Sequence, residues 1–394
     1  MPSKFSLNDI FYNRPQDHYK KIALIFWILV TLFCAIQSLI SHRFNNYLIF
    51  ENTFRNLIHQ QSFYLPYPTY HFDSNHYGPI FSVFIMPFAI LPHWLGLLLW
   101  DFFNCMVLFK AIESIPIKNH APLYLIATPC YISASLSEQF NPASAAFIIL
   151  SYTLLNKNKG LWSTMLIVLG TFIKLYGIVG LAFFFFVKYK KRFMAYLTLW
   201  ATIFLLVPML FSSPEFIFVS YKEWVISLIY KNANNIAGAS TDISIMGFIR
   251  SLFPLHHISN SIFLTFGIAL FGLPYLNVKA YKMKTFQLYI LGSVLLFPVL
   301  FSSGSEDCTY IIAVSGIGIW YVFAEKTALR NFLFVMIFIF SCNFPLLLFP
   351  DFASTYPILL RMLSFPFFVI WLLIIYKASL LKKRKNYVLK WLPN

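Results

Sequence analysis

The stretch 22-IALIFWILVTLFCAIQSLI-40 decides the fold class of this chain. It runs for 19 residues without a charged side chain, which is long enough to cross the hydrocarbon core of a bilayer as a helix. Lys20 and Lys21 precede it, and no small-residue cleavage site follows it. We therefore expect an uncleaved membrane anchor, with the N-terminal residues 1–21 in the cytoplasm.

Apolar runs of similar length recur along the whole chain, and the composition agrees with them. Hydrophobic residues make up 59% of the 394 residues and charged residues only 11%, whereas a soluble domain carries about a quarter charged residues. We predict an all-α, polytopic integral membrane protein with a single membrane domain over residues 1–394. It would contain about 10–13 transmembrane or re-entrant helices.

The net charge of +16 comes from lysines and arginines beside the apolar runs, so it does not indicate a nucleic-acid partner. Placing these clusters in the cytoplasm gives a basic cytoplasmic tail at 378–394 and two large outer loops, 43–78 and 213–256. Both termini are then cytoplasmic, and we expect the protein to lie in the bacterial inner (plasma) membrane.

The five cysteines show no CxxC or metal-ligand spacing, which argues against a disulfide framework or a zinc site.

Several apolar segments in the first half of the chain cannot all be full transmembrane helices. Four apolar segments lie between Pro79 and the cytoplasmic Lys157, where the chain must cross an odd number of times, so we expect one to be broken or re-entrant. The run 161–187 has arms of only about 13 residues, and we interpret it as a hairpin with Lys174 near its tip. Apolar residues at helical spacing in 46-NYLIFENTFRNLIHQQSFY-64 predict an interfacial helix.

The densest cluster of titratable groups stands in 71-HFDSNHYGPIFSVFIMP-87, immediately before an apolar run. The Tyr-Gly-Pro sequence at 77–79 would hold Asp73 and His76 at a fixed depth near the headgroups. A general base must lie within hydrogen-bonding reach of the proton that it removes, so Asp73 is a candidate base. A solvated loop without a catalytic role is the alternative.

Two basic residues are candidates because ionisable groups are expensive inside a membrane. Lys174, within an apolar hairpin, could stabilise a phosphate leaving group or simply snorkel to an interface. Arg361, at the start of the last span, could reach a phosphate at the outer surface or anchor the helix there.

Polar breaks in apolar segments supply the other candidates. Glu306 and Asp307 form either a cation or sugar-hydroxyl site or a cap of the next helix. Glu138, Gln139 and Asn141 likewise have two interpretations. They form either a polar surface that binds sugar hydroxyls or a helix cap.

Several blocks in this order resemble the polytopic glycosyltransferases of family 87, whose fold is of the GT-C type. The blocks are 46-NYLIFENTFRNLI-58 with Tyr64, 77-YGPIFSVFIMPFAILPHWLGLLLWDFFN-104, 138-EQFNPASAAFIILSYTLL-155, 170-GTFIKLYGIVGL-181 and 306-EDCTYIIAVSGIGIWY-321. The likeness covers roughly residues 40–380 and rests on the ordered set rather than on any single block.

The resemblance implies an inverting membrane enzyme that transfers a sugar, often mannose or another hexose, from a polyprenyl-phosphate donor. The acceptor would be a lipid-linked or glycan molecule on the non-cytoplasmic side. Such an enzyme needs one carboxylate base in the first outer loop, and we assign this role to Asp73, with Glu51 as the fallback. We expect no cofactor; a divalent cation is compatible with the sequence, but no motif indicates one.

The remaining candidates divide between the two substrates. Lys174, Arg361 and His76 are expected to bind the donor phosphate. The residues expected to bind the sugar or the acceptor are Asn46, Tyr77, Glu138, Gln139, Asn141, Glu306 and Asp307.

One departure from the family concerns the start of the first outer loop. Many family members carry an aspartate there, whereas this chain has Asn45 and Asn46. Either the base has moved to Asp73 or this copy is impaired.

Two other functions fit the same sequence. A transporter or flippase of a lipid-linked glycan would need a polar pathway through the bundle and two pseudo-symmetric halves, although no internal repeat is visible. A non-catalytic membrane scaffold would agree with the sparse charge and with Asn46.

Overall fold

The computed structural model describes residues 16–237, 242–253, 258–342 and 357–382. Every regular element in these ranges is a helix, which confirms the all-α prediction. Residues 1–15 of the predicted cytoplasmic N-terminus and residues 383–394 of the predicted basic tail lie outside the described residues.

The helices are numbered here in chain order over the described ranges. The α-helices are α1 (Gln16–Ser41), α2 (Asn45–His59), α3 (Ile80–Phe84), α4 (Met86–Ala89), α5 (His93–Ser114), α6 (Ala121–Leu136), α7 (Asn141–Asn156), α8 (Gly160–Ile173), α9 (Lys190–Leu206), α10 (Pro214–Ala237), α11 (Ile245–Leu252), α12 (Asn260–Gly272), α13 (Lys284–Leu300), α14 (Tyr310–Phe323), α15 (Ala328–Ser341), α16 (Pro357–Arg361) and α17 (Ser364–Ser379). The 3-10 helices are Leu175–Phe186, Val207–Leu210, Leu273–Leu276, Val278–Ala280 and Asp307–Thr309.

The chain is a polytopic membrane protein by the length and apolarity of its helices. Four stretches of the described chain are long and apolar enough to cross a bilayer: His18–Ser41, His93–Ser114, Lys190–Leu210 and Ile358–Ser379. Seven shorter apolar stretches accompany them. The total agrees with the predicted number of transmembrane or re-entrant segments.

Helix α1 has one exposed apolar face and one face buried in the bundle. Large apolar side chains are exposed along one face at helical spacing: Ile22, Ile25, Phe26, Leu29, Phe33, Ile36 and Ile40. The opposite face, with Trp27, Thr31 and Ser38, is buried against α5 and α6. An apolar face turned outward and a hydroxyl-bearing face turned inward are the arrangement expected of a lipid-exposed helix.

The centre of the bundle is formed by α13 and α14, which pack on each other and on α17 and α6. Small residues permit this close approach. A Cβ on Gly316 of α14 would lie 2.7 Å from the carbonyl oxygen of Gly292 on α13. Small residues at such a crossing let helix backbones come together where burial of apolar surface gives little driving force.

The first outer loop contains the predicted helix, but the helix packs differently from the prediction. Helix α2 covers α3 and α4, and its apolar residues Tyr47, Phe50 and Leu57 are buried in protein. The expectation that this helix lies on the bilayer surface is therefore wrong for its apolar face.

The broken apolar segment and the hairpin are both confirmed. The segment 79–92 forms only α3 and α4, which are 5 and 4 residues long. Helix α8 and the 3-10 helix Leu175–Phe186 pack together as two arms, and Lys174 between them has an extended backbone. A Cβ on Gly177 would lie 2.3 Å from the nitrogen of Thr171, so the arms touch where the chain reverses.

Both arms are short for a membrane crossing. At 1.5 Å per residue α8 is about 21 Å long, and at 2.0 Å per residue the 3-10 helix is about 24 Å long. Helix α7 runs beside them, with Asn141 at the end near Lys174 and Asn156 at the other end.

The second predicted outer loop, 213–256, is largely helical. Helix α10 occupies 24 of its residues, and the short helix α11 follows. The side chains of α10 reach the first outer loop, as described below.

Candidate active site

The loop 61–79 is fixed at its C-terminal end by Tyr77. The centroid of the Tyr77 ring lies 5.0 Å from that of Phe50 and 4.7 Å from that of Phe81. The Tyr77 hydroxyl donates a hydrogen bond to Oε1 of Gln139 at 3.0 Å. Two of the predicted sugar-binding residues therefore contact each other.

The next residue, Gly78, brings the loop against the tip of the hairpin. Its N–H donates to the carbonyl of Ile173 at 3.0 Å. A Cβ at this position would lie 2.0 Å from the carbonyl oxygen of Phe172, so the approach requires glycine. The loop that carries Asp73 is thereby held beside Lys174.

Lys174 joins three separate parts of the chain. Its Nζ donates to Oδ1 of Asn141 at 2.8 Å and lies 5.5 Å from the centroid of Tyr77 and 5.0 Å from that of Tyr176. Asn141 in turn donates from Nδ2 to the carbonyl of Cys308 at 3.2 Å. A partly buried ammonium between two rings and an amide is well placed to attract an anion.

The turn before α14 contributes the carboxylate of Glu306. Glu306 and Thr309 cap the 3-10 helix reciprocally, in agreement with the capping alternative, and the sugar-binding role of Glu306 stays a prediction. The same carboxylate interacts electrostatically with Lys174. Asp307 behaves differently, because its Oδ2 accepts a hydrogen bond from Ser133 of α6 at 2.8 Å.

Asp73 lies at the exposed edge of this cluster. Its side chain is 59% exposed, and its Oδ2 is 3.8 Å from Nζ of Lys231. Its Oδ1 accepts a hydrogen bond from the backbone N–H of Ser74, and its carbonyl contacts Nδ1 of His71 at 2.6 Å. The carboxylate is thus accessible to a ligand and close to a cation.

His76 lies within electrostatic range of both Lys174 and Lys231. Its Nδ1 lies 2.7 Å from Oγ of Ser227, and the side chain is mostly buried. Burial is the largest cause that lowers the pKa of His76 to about 4; the charges of Lys231 and Lys174 also lower it, and that of Asp73 partly offsets them. A neutral imidazole can donate one hydrogen bond to a phosphate but brings no positive charge.

Four of the predicted site residues are engaged elsewhere. The Glu51 carboxylate is buried and accepts from Arg55 and His93. Glu138 accepts from Ser38 of α1 at 2.9 Å, and its own backbone has a positive φ of 48°.

Asn46 and Arg361 are the other two. The side-chain amide of Asn46 donates to the carbonyl of Ser137 at 2.8 Å, so it ties the start of α2 to the end of α6. Nη1 of Arg361 donates to Oγ of Ser251 at 2.5 Å on α11. These two bonds join Asn46 and Arg361 to residues other than Lys174, Tyr77 and Asn141.

The sequence reasoning missed the contribution of α10. Trp224 donates from Nε1 to the carbonyl of His76 at 2.9 Å, Ser227 contacts the ring of the same histidine, and Lys231 pairs with Asp73. The spacing of these three residues places them on one helical face, and that spacing was the available signal.

Two buried groups of ionisable side chains were not among the predicted site residues. Asp101 is buried within the membrane-spanning helix α5, where an ionisable residue is itself a signal of function. Asp242 and Arg250 form a buried ion pair at 3.2 Å between Oδ2 and Nη1. Among the described residues, no group of three or more His, Cys, Asp or Glu side chains could hold a metal ion.

The model of glycosyltransferase family 87 matches residues 75–303, which is more than half of the chain. The chain belongs to glycosyltransferase family 87. No curated protein matches it. The family 87 match begins two residues after Asp73 and includes Tyr77, Asn141, Lys174 and Lys231.

Proposed function

We propose that this family 87 glycosyltransferase, of the GT-C type, transfers a hexose such as mannose from a polyprenyl-phosphate donor to a lipid-linked or glycan acceptor. The observation that carries the proposal is a cluster at one end of an apolar bundle. Lys174 there contacts Asn141 and the Tyr77 ring and lies within electrostatic range of Lys231, the partner of Asp73. A lipid-linked phosphate needs a cationic site that opens beside lipid. A soluble nucleotide sugar has no such need.

The chemistry assigned to the residues follows from their charges. Asp73 removes the proton from the acceptor hydroxyl, whose oxygen forms the new bond to the anomeric carbon of the sugar. The bond from that carbon to the phosphate oxygen breaks on the opposite face, which inverts the configuration. Lys174 and Lys231 stabilise the negative charge of the departing polyprenyl phosphate.

The proposed topology places this cluster on the outer face of the bacterial inner membrane, with both termini in the cytoplasm. The basic clusters beside the spans support this orientation through the positive-inside rule. Asp73 is preferred to Glu51 as the base because Glu51 is already bound by Arg55 and His93.

The first prediction concerns the base. Asp73→Asn should reduce sugar transfer about 10²- to 10⁴-fold, because positioned proton transfer contributes a factor of that size. We would measure transfer from labelled polyprenyl-phosphate-mannose and -glucose to membrane acceptors with equally inserted protein.

The control is Glu325→Gln, which neutralises a similarly exposed carboxylate that pairs with Lys377 at 3.5 Å. It should transfer sugar at the parent rate. Full activity of Asp73→Asn would reject Asp73 as the base and direct attention to Glu306. Inactivity of the parent protein with a broad donor panel would instead support the transporter or scaffold interpretation.

A further inference from the structure

A cavity of about 750 Å³ opens at the end of the hairpin that is remote from Lys174. It lies between the C-terminal end of α7, the N-terminal ends of α8 and α9, and the end of the 3-10 helix Leu175–Phe186. Helices α7 and α8 separate it from the candidate active site by about 21–24 Å. Its volume is that of an ordinary ligand pocket, about 300–1,000 Å³.

All the charged side chains that line this cavity, called the basic cavity below, are positive. Its lining includes Lys159, Lys188 and Arg192 and contains no carboxylate. The ion pairs found within the described ranges involve none of these three residues. Nζ of Lys188 and Cζ of Arg192 lie 5.2 Å and 5.5 Å from the centroid of the same Tyr189 ring. Both cations thus flank one ring of a cavity without a carboxylate, and a bound anion would neutralise charge that the lining leaves unpaired.

The rest of the lining is apolar and aromatic. Phe183 and Phe193 are buried at its base, and Phe186 and Leu155 are partly buried beside them. Trp162 lines the same cavity and is 50% exposed, so the apolar wall continues to the lipid-facing surface. A ligand that fits this lining has an anionic group at one end and an apolar body at the other.

We propose that the basic cavity binds the headgroup of an anionic, phosphate-bearing lipid. The planar guanidinium of Arg192 offers paired hydrogen bonds to phosphate oxygens, and Lys159 and Lys188 add charge. The lipid chains lie beside Trp162 in the surrounding bilayer. Basic pockets between membrane helices bind phospholipid headgroups in this way. The inference is independent of the reaction proposed above, because it concerns the opposite end of the bundle.

A charge-matched pair of variants tests the proposal in the full-length purified protein. The pocket variant is K188Q/R192Q, and the control is K190Q/K191Q, which removes the same charge from neighbouring exposed residues that do not line the cavity. Native mass spectrometry would follow the binding of phosphatidylglycerol, of zwitterionic phosphatidylcholine and of inorganic phosphate. Melting temperatures of both variants would show that they fold alike.

We expect phosphatidylglycerol to bind the pocket variant about 30-fold more weakly, which corresponds to ~1 kcal/mol for each charge. The control should bind phosphatidylglycerol with an affinity within twofold of the parent. Phosphatidylcholine should bind the parent and the control more weakly than phosphatidylglycerol does. Equal losses in the two variants, or no loss in either, would overturn the proposal. Displacement of the lipid by low millimolar inorganic phosphate would also overturn it, because free phosphate would then be the ligand.

Discussion

At the scale of the residue, the candidate site depends on a few side chains that each satisfy two demands. Lys174 is held by Asn141 and by two tyrosine rings, yet it remains a cation beside the loop that carries the exposed Asp73. Glu306 caps a short helix while its charge faces Lys174. The sequence left Glu306 open between a helix cap and a ligand site, since a capping pattern gives no indication of what lies opposite it.

The second prediction concerns the stability of the loop that contains His76. Because the native pKa is about 4 and the unfolded value is 6.5, the unfolded chain takes up a proton first as the pH falls. The stability contributed by neutral His76 is complete above pH ~6.5 and is lost as the pH falls towards about 4. Melting temperatures in detergent should therefore decrease less between pH 7 and pH 5 for His76→Asn than for the parent.

The matched control is His59→Asn, because His59 is exposed at the end of α2. This variant should keep the pH dependence of the parent. An unchanged slope for His76→Asn would show that the histidine is not buried as described.

At the scale of the element, the hairpin and the first outer loop were predictable to different degrees. The length of 161–187 and its flanking lysines were enough to predict two short arms with Lys174 between them. Helical spacing also predicted α2, but spacing cannot distinguish a lipid surface from a protein surface, because both are apolar. The contacts of Phe50 with Tyr77 and Phe81 come from residues far along the chain and leave no local signal.

The third prediction tests the contact between the two arms of the hairpin. Gly177→Ala should destabilise the protein by about 1–3 kcal/mol, because the new Cβ would overlap the backbone of Thr171 and Gly170. The shift should appear as a lower melting temperature and as reduced sugar transfer, since the arms position Lys174.

Gly272→Ala is the control for this change, because nothing lies within 4 Å of a Cβ at that helical position. It should leave the melting temperature unchanged or raise it slightly. Equal stability of the two variants would mean that the arms are not in contact at Gly177.

At the scale of the whole molecule, composition and charge clusters predicted an all-helical membrane protein and its approximate number of segments. They did not predict which segment ends meet. Lys231, Lys174 and Glu306 converge although more than fifty residues separate each from the next. Such long-range pairing is set by helix packing, and apolar runs of similar composition give little information about which helices are neighbours.

The fourth prediction concerns orientation. The proposed topology places the Asp73 loop outside and the basic ends of α8 and α9 inside. Phe72→Cys, at a side chain that is 93% exposed, should react with a membrane-impermeant maleimide in intact cells. Lys191→Cys, also exposed, should react only after the cells are permeabilised.

The native cysteines allow this comparison, because four of the five are buried and Cys342 is only partly exposed. Labelling of both variants from the same side would reject the topology.

The length of the hairpin arms has a consequence for the bilayer itself. Arms of about 21–24 Å are shorter than a hydrocarbon core of about 30 Å, which creates a hydrophobic mismatch along this side of the bundle. Lipids accommodate such a mismatch by thinning, at a cost of a fraction of a kcal/mol per Å. The lipid-linked donor proposed above would enter this thinned annulus as it diffuses towards Lys174, and its headgroup would already lie closer to the bundle midplane there. The rate of the enzyme would then depend on the acyl-chain length of the membrane around it as well as on its two substrates.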